Sequence, residues 1–161
     1  MISNLSYEQI ENLLHQQVVG RIACHYEDEI YIVPISYAYD GKYIYCHAYE
    51  GRKMEMMRKN SKVCFQVDEM KDMANWTSVI AWGNFEELTD PVQRNKALRI
   101  LLNRPLPILS SITTHLGDVW PFSANDAKGI DDIPGIVFRI SLQEKTGKFE
   151  RTSESPALMF N

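Results

Sequence analysis

Runs of β-branched and aromatic residues with a period of two dominate the first third of the sequence and limit what it can fold into. Three such runs follow one another, at residues 18–26, 30–38 and 43–47. Turn signals separate them, first Glu27-Asp28-Glu29 and then Asp40-Gly41-Lys42. Side chains alternate between faces along a strand, so these runs predict half-buried strands joined by hairpins. A chain that begins this way is expected to build an antiparallel sheet.

Three further strands are predicted downstream. Val63, Phe65 and Val67 alternate along one, and residues 76–87 form another, separated by a loop at 68–75. Gly83 inside the second indicates a bulge or a close approach of two backbones. Residues 135–142 form the last clear strand, with its apolar side chains on one face.

Helix signals fall between these strands. Ser6 and Gln9 form a capping box that opens a helix to about His15, and residues 51–59 form a second short helix. Asp90-Pro91 begins a third, which ends near Leu102 before two prolines. Six closely spaced strands with helices as plugs predict a mainly β, α+β fold: a small antiparallel barrel in one domain over residues 1–161.

Composition excludes several classes of function. A net charge of −4 and a pI near 5.6 argue against a nucleic-acid or acidic-membrane surface. No run of eighteen apolar residues could span a bilayer, and the first residues lack the pattern of a signal peptide, so we expect a cytoplasmic protein. The three cysteines are an odd number in strand-like runs, which favours reduced thiols.

Two cations stand at the start of the predicted helix 51–59, where electrostatics favours acidic residues. Arg52 and Lys53 occupy its first turn, although the free N–H groups and the dipole already make that end positive. A bound phosphate would make the arrangement favourable, and Gly51 would let the backbone approach it. The alternative is a pair of solvated cations after Glu50, at a cost of about 0.3–1 kcal/mol each.

Pro34 interrupts the second predicted strand and indicates an edge, because proline cannot donate a ladder hydrogen bond. Backbone groups of Val33, Ile35 and Ser36 are then candidates to bind a planar ligand along that edge. A covered edge without a ligand is the alternative.

Tyrosine is concentrated in the same strands. Seven of the eight tyrosines lie between Tyr26 and Tyr49, which suits either a half-exposed sheet or a site for flat rings. His47 shares a face with Tyr43 and Tyr45, just before the two cations. It is either a structural residue or a functional one whose titration lies near neutral pH.

No metal site is predicted. The pairs Cys24-His25 and Cys46-His47 are neighbours on strands, so their side chains point to opposite faces and cannot easily share an ion. Cys-x-x-Cys and His-Glu-x-x-His spacings are absent, as are a Walker loop and the Gly-x-Gly-x-x-Gly and Gly-x-Ser-x-Gly signatures. Nucleotide hydrolysis and serine-esterase chemistry therefore have no support.

The order of these motifs resembles that of a known family. It runs VGRIAC, then IVPISYAYDGKYIYCHAYEGRKMEMMRKNSKVCFQVD, then WTSVIAWGNFEELTD. This order is similar to that of the flavin-binding split barrels related to pyridoxamine 5′-phosphate oxidase, in particular the nitroimidazole-resistance-type proteins. The resemblance covers residues 10–90 and, more loosely, 135–142.

The resemblance implies a six-stranded split barrel that forms a homodimer with flavin mononucleotide (FMN) at the subunit interface. It implies that Arg52 and Lys53, at the helix start marked by Gly51, hold the FMN phosphate. The residues that would line the isoalloxazine ring and ribityl chain are Val33, Pro34, Ile35, Ser36, Cys46 and His47. His47 matches a histidine beside the flavin in the nitroimidazole-resistance branch, and Trp120, in the irregular region 108–133, is expected to cover the flavin.

One departure from the family bears on substrate. Pyridoxamine phosphate oxidases end in a tail whose Arg and His bind the substrate phosphate, whereas this sequence ends ERTSESPALMFN, with no histidine after His115. Oxidation of vitamin B6 is therefore not expected. The resemblance implies instead an FMN-dependent oxidoreductase that takes electrons from NADH or NADPH and passes them to a small planar acceptor such as a nitroaromatic. His47 would orient the substrate or supply a proton.

Three other readings stay open. One is a flavin-binding module without turnover. A second is a haem-binding split barrel, for which the candidate ligands are His15, His25, His47 and His115. The third is a plain structural dimer, which would leave the placement of Arg52 and Lys53 unexplained.

Overall fold

The computed structural model describes residues 1–104 and 129–152, which hold seven strands and three α-helices. In chain order the elements are β1 (Ile2–Asn4), α1 (Tyr7–Gln16), β2 (Val19–Tyr26), β3 (Glu29–Tyr39), β4 (Tyr43–Ala48), α2 (Arg52–Lys59), β5 (Lys62–Asp72), β6 (Asn75–Glu87), α3 (Pro91–Asn103) and β7 (Ile136–Glu150). A short 3-10 helix, Ile130–Asp132, precedes β7. No helix in the described part of the chain is long and apolar enough to cross a bilayer.

The strands close into a ring in which every pairing is antiparallel. The order β7-β4-β3-β2-β5-β6 returns to β7, because β7 pairs with both β4 and β6. The predicted six-stranded antiparallel split barrel is therefore confirmed. The structure adds β1, which pairs with the far end of β7 at Lys148–Glu150. Three exposed residues carry no alternation, so β1 left no signal in the sequence.

Two predicted boundaries are wrong. The loop expected at 68–75 is a hairpin, because β5 continues to Asp72 and β6 begins at Asn75. The Asp72 carboxylate accepts hydrogen bonds from the backbone N–H of Ala74 and the side chain of Asn75, which holds the turn. β7 runs to Glu150 instead of ending at residue 142. Both extensions are largely polar and depend on backbone pairing with neighbouring strands, which an apolar pattern does not reveal.

Local signals at the helices and turns are confirmed. Ser6 and Gln9 form both hydrogen bonds of the capping box on α1. The Asp90 carboxylate accepts a hydrogen bond from the backbone N–H of Gln93 at 3.0 Å and caps α3. In the β3–β4 turn, Gly41 takes a φ of +94°, which favours glycine.

The core divides into two clusters, inside and outside the barrel. Inside, α1 and α2 plug the two ends, with Leu14 of α1 and Met54 and Met57 of α2 fully buried. Outside, Leu98 and Leu101 of α3 pack on the outer face of β3, β4 and β7. α3 therefore covers one part of the outer sheet face and leaves the rest of β3 uncovered by any described helix.

Cysteines and glycines agree with the sequence-based expectations. Cys24 and Cys46 are buried and Cys64 is half-buried, and all three thiols are free. The register between β6 and β7 shifts at Gly83, where a Cβ would overlap the backbone carbonyl of Ser141. The predicted bulge with close backbone approach is confirmed.

We expect Gly83→Ala to lower the free energy of unfolding by about 1–3 kcal/mol, because the added methyl forces β6 and β7 apart. Urea denaturation measures the change. Gly129→Ala is the matched control, since a Cβ there meets no heavy atom within 4 Å and the φ of −64° is ordinary for alanine. Equal stability of the two variants would contradict the close approach at Gly83.

Candidate functional site

The barrel is split along β3. β4 pairs with only the last three residues of β3, Tyr37–Tyr39, while β2 pairs with it from Glu29 to Ser36. Among the described strands, the segment Ile30–Ser36 therefore has a neighbour on the β2 side alone. An unpaired strand edge offers a row of backbone donors and acceptors to a ligand or a partner. We call Ile30–Ser36 the open edge of β3.

Two hydrogen bonds define which backbone groups face this edge. The N–H of Tyr37 donates to Val18 O at 3.0 Å on the β2 side, and the N–H of Asp40 donates to Tyr43 O at 3.3 Å on the β4 side. Because the polar groups of successive strand residues point in opposite directions, odd-numbered residues of β3 bond toward β2 and even-numbered ones toward the open edge. Pro34 therefore lacks its N–H on the unpaired side, where no ladder bond is lost.

The groups that the open edge offers consequently differ from those expected from sequence. Val33 and Ile35 direct their backbone groups toward β2, and their side chains pack on the barrel interior. Ile32 offers an N–H and a C=O to the edge, and Pro34 offers a C=O. Cys46 also points inward, and its complete burial raises the pKa of its thiol to about 12.

Ser36 and His47 meet at the end of the open edge where the split begins. They are the next positions after the last β3–β4 pair, Tyr37 with Cys46, and both project toward the side that carries α3. The hydroxyl Oγ of Ser36 is buried and has no hydrogen-bond partner among residues 1–104 and 129–152. A buried polar group without a partner costs about 1–3 kcal/mol, so this oxygen indicates a missing partner.

The imidazole of His47 is held in one orientation. Its Nε2 lies 2.6 Å from the carbonyl oxygen of Pro134, and a carbonyl only accepts, so Nε2 carries the proton and Nδ1 is left as an acceptor. Gly135, with a φ of +98°, packs so closely that a Cβ there would lie 2.6 Å from Nε2. Burial lowers the pKa of His47, the Pro134 carbonyl opposes this, and the nearby Arg94 and Arg104 add to the lowering. His47 is therefore a neutral hydrogen-bond acceptor at neutral pH.

The start of α2 forms the other end of the site. Gly51 is the N-cap residue, no side chain caps the helix, and the first backbone bonds to Gly51 O come from Met54 and Glu55. The N–H groups of the first turn before Met54 thus stay available, as at any uncapped helix start. A Cβ on Gly51 would meet no heavy atom within 4 Å, so protein packing does not explain the glycine.

Arg52 is paired within the chain. Its Nε donates to a carboxylate oxygen of Glu29 at 2.6 Å, and its second donor, Nη2, binds the other oxygen. Both side chains are exposed, 57% for Arg52 and 45% for Glu29, and such a surface pair contributes about 0–1 kcal/mol. Lys53 is half-buried and has no acidic partner among the described residues. Glu50, which precedes the two cations in sequence, binds Arg58 instead.

The two ends are separated by the length of the open edge. Glu29 begins β3 and holds Arg52, whereas Ser36 lies seven residues further along the strand. At about 3.3 Å per residue this separation is about 23 Å along the strand. The edge can thus accommodate an elongated ligand with an anionic group near α2 and a planar, hydrogen-bonding group near Ser36 and His47.

The structure brings some of the sequence-predicted site residues together and separates others. Pro34, Ser36 and His47 lie at one end of the site, and Gly51, Arg52 and Lys53 lie at the other. Val33, Ile35 and Cys46 point into the barrel, and Trp120 lies outside the described residues. Sequence reasoning missed Glu29, which it read only as part of a turn, and Arg104 at the end of α3, which carries no motif.

Comparison with known proteins places this geometry among described folds. A family model described as "Pyridoxamine 5′-phosphate oxidase" matches residues 6–120. The crystal structure of a FAD-binding protein from Mesorhizobium loti is 30% identical in sequence, with a TM-score of 0.69 over 92% of this chain and 98% of that one.

Two further relatives are similar to this chain, one in structure and the other in part of its sequence. A candidate 5-nitroimidazole antibiotic resistance protein from Bacteroides thetaiotaomicron is 19% identical, with a TM-score of 0.68 over 92% of this chain and 87% of that one, which shows a common fold. An uncharacterised protein from Rhizobium meliloti is 37% identical over 84 residues, which cover 52% of this chain and 56% of that protein. The match thus spans little more than half the length of that relative.

We expect the lowered pKa of His47 to make the protein less stable in mild acid. The unfolded chain binds a proton on this residue near its ordinary pKa of 6.5, whereas the folded protein does so only at lower pH. The free energy of unfolding therefore falls as the pH drops below about 6.5. Urea denaturation at several pH values between about 7 and 5 should show a steeper loss for wild type than for His47→Gln. Identical slopes would contradict a depressed pKa.

Proposed function

The chain belongs to the pyridoxamine 5′-phosphate oxidase family, and on this premise we propose that it binds FMN along the open edge of β3 and works as a flavin-dependent oxidoreductase. The observation that carries the proposal is the unpaired edge itself, with an unsatisfied hydroxyl at one end and an uncapped, cationic helix start at the other. The ends match the two chemically different ends of FMN.

The ring end has the donors and acceptors that an isoalloxazine edge needs. Ser36 Oγ can donate or accept, Ile32 presents an N–H and a C=O, and Pro34 presents a C=O. The ring edge of a flavin alternates acceptors with one N–H donor, so it complements such a row. Binding would also supply the partner that Ser36 lacks in the part of the chain that the structure describes.

The helix start has the charge that a phosphate needs. The free N–H groups of the first turn and the side chain of Lys53 face no acidic partner among the described residues, and the space above Gly51 is open. Arg52 is held by Glu29, so a phosphate would compete with that carboxylate for the guanidinium. A dianionic phosphate is the stronger acceptor, and the exposed pair is weak enough to exchange.

A bound flavin supplies the hydride and electron transfer in such a protein, and the chain supplies binding, orientation and electrostatics. His47 contributes a fixed Nδ1 acceptor beside the ring end, because Nε2 is committed to Pro134. Its low pKa makes proton donation from a charged imidazole unfavourable at neutral pH, so we assign it the role of orienting a substrate. NADH or NADPH is the proposed electron donor, and a small planar molecule such as a nitroaromatic is the proposed acceptor.

We further propose a homodimer with FMN at the subunit interface. The outer face beside the open edge carries a row of side chains in register across four strands: Ile32, Ala23, Cys64 and Trp82. Ile32 is 61% exposed and Trp82 40% exposed, and an apolar face of this kind favours a second copy. Sedimentation of the purified protein measures its mass, and a monomer would contradict the proposal. We also propose a cytoplasmic location, which the free thiols of Cys24, Cys46 and Cys64 support.

FAD is a second candidate, because the 30% identical relative from Mesorhizobium loti is described as a FAD-binding protein. The same cations could hold a diphosphate, and mass spectrometry of the released cofactor distinguishes the two flavins. A visible spectrum of the purified protein, recorded before and after anaerobic addition of NADH or NADPH, tests the function as a whole. A flavin spectrum that bleaches supports an oxidoreductase, one that does not bleach supports a flavin-binding module, and a Soret band would show haem.

We expect the double variant Arg52→Ala, Lys53→Ala to bind FMN about 10- to 100-fold more weakly, because two charge-assisted contacts to the phosphate are lost. Riboflavin lacks the phosphate, so its affinity should change much less. Fluorescence titration of the flavin-free protein measures both constants.

Lys59→Ala is a control for the loss of a lysine charge, since it removes one positive charge from the exposed last turn of the same helix. Glu29→Gln frees Arg52 and should leave FMN binding as tight or tighter. An equal loss of FMN and riboflavin affinity in the double variant would show that the two cations act on folding and not on the phosphate.

We expect His47→Asn to reduce turnover with NADH or NADPH at least tenfold while changing FMN retention less than threefold, because the residue orients a substrate and does not anchor the cofactor. Steady-state kinetics and the flavin content of the purified variant measure the two effects. Unchanged turnover would show that His47 only lines the site and does not orient a substrate.

A further inference from the structure

A partly buried positive charge without a counter-charge among the described residues lies where α3 ends. Arg104 follows the last residue of α3, and its Nε and Nη1 are buried and have no hydrogen-bond partner in the described part of the chain. Arginine stays protonated in proteins, so an unpaired guanidinium that is shielded from water is energetically unfavourable. Its burial lowers the pKa of Arg104, in agreement with this cost.

The charged groups around Arg104 do not balance it. None of the ion pairs of the described residues includes Arg104. The titratable group that interacts favourably with it is the thiol of Cys46, whose pKa is raised by burial to about 12, so this thiol is neutral at pH 7. His47 also lies within electrostatic reach, and its neighbours Arg94 and Arg104 both disfavour a charge on it. Among the described residues, the surroundings of Arg104 are therefore neutral or positive.

Arg104 also lines a cleft between the ends of α1, β3 and α3. The cleft has a volume of about 350 Å³, and its walls include His15, Val18, Tyr39, Ile100, Asn103 and Arg104. This volume lies within the range of small-molecule sites, about 300–1,000 Å³. Tyr39 stacks at a tilt on His15, with ring centroids 4.8 Å apart, which gives one side of the cleft an aromatic wall.

From these observations we propose that the cleft is a binding site for a small organic monoanion, a carboxylate carried on a planar apolar body, with Arg104 as its counter-ion. The guanidinium fork matches the two oxygens of a carboxylate. Arg104 is the one lysine or arginine among the residues that line the cleft, which suits a single negative charge better than a phosphate dianion. Val18, Ile100 and the aromatic pair provide the apolar surface for the rest of the ligand.

The inference goes beyond the flavin site and does not depend on it. The proposed phosphate contacts are Arg52 and Lys53 at the start of α2, whereas this cleft is built from the ends of α1 and α3. Arg104 and His47 are close enough to influence each other electrostatically, so a bound carboxylate would lie near the substrate side of His47. Two separate ligands can then occupy the molecule together.

Benzoate is the probe, and benzamide is its neutral isostere. Isothermal titration of the purified protein should show benzoate binding that weakens at least tenfold in Arg104→Met, while benzamide binds weakly to both. Arg104→Lys keeps the charge without the fork and should fall between them. Arg99→Met removes an exposed arginine from the same helix and should bind benzoate like wild type.

Thermal unfolding gives a second readout that holds even if affinities are modest. Arg104→Met should melt at or above the wild-type temperature without ligand, because it removes an uncompensated buried charge. Benzoate should raise the melting temperature of wild type and leave that of Arg104→Met unchanged.

Three results would overturn the proposal. If Arg104→Met melts below wild type and benzoate has no effect on either protein, Arg104 stabilises the fold and does not bind a carboxylate ligand. If benzamide binds as tightly as benzoate, the charge plays no part. If FMN and benzoate displace each other, the cleft belongs to the flavin site and is not a separate one.

Discussion

The absence of a β4 partner along β3 before Tyr37 is the constraint on which the rest of the structure depends. In a closed barrel each strand pairs on both sides, but here β3 pairs with β2 from Glu29 to Ser36 and with β4 only from Tyr37 to Tyr39. Backbone groups that lose a strand partner must find another, since leaving them unpaired is costly. The chain places Pro34 at this edge, where its missing N–H removes no ladder bond, and it places Ser36 and His47 where the two strands part. The proposed cofactor site is thus the consequence of an incomplete ladder.

Charge is distributed around this split in three different ways. Arg58 on α2 is fully engaged by Glu50 and Glu87 and fastens the helix to β6. Arg52 on the same helix is held by one exposed carboxylate, which can exchange for a stronger anion. Arg104 has two buried nitrogens, Nε and Nη1, that have no partner among the described residues. The same residue type therefore serves as a structural tie, as an exchangeable contact and as a candidate ligand site, and the difference lies in burial and in the acids within reach.

The orientation and protonation of His47 depend on residues outside its own strand. Its strand position places it at the split, but its chemistry depends on the turn before β7. There the carbonyl oxygen of Pro134 accepts a hydrogen bond from Nε2–H, and Gly135, which has no Cβ, leaves room for the ring. Burial, together with Arg94 of α3 and Arg104 just after it, then keeps the imidazole neutral. The local sequence CHAYEG indicates none of this, because all of these partners lie about 45 to 90 residues away.

The sequence by itself determined the elements whose signals are local: the period of two in β2, β3 and β4, the capping box of α1, the Asp90 cap of α3, the bulge at Gly83 and the unfavourable cations of α2. It also identified Pro34 as an edge residue. Only the tertiary structure decided which backbone groups that edge exposes, that Glu29 holds Arg52 and that His47 is neutral. It also decided that two nitrogens of Arg104 are buried without a partner among the described residues. The physical reason is that three properties depend on residues that are distant in sequence and meet only when the barrel closes. These are the side of a strand to which each backbone group points, ion pairing, and desolvation.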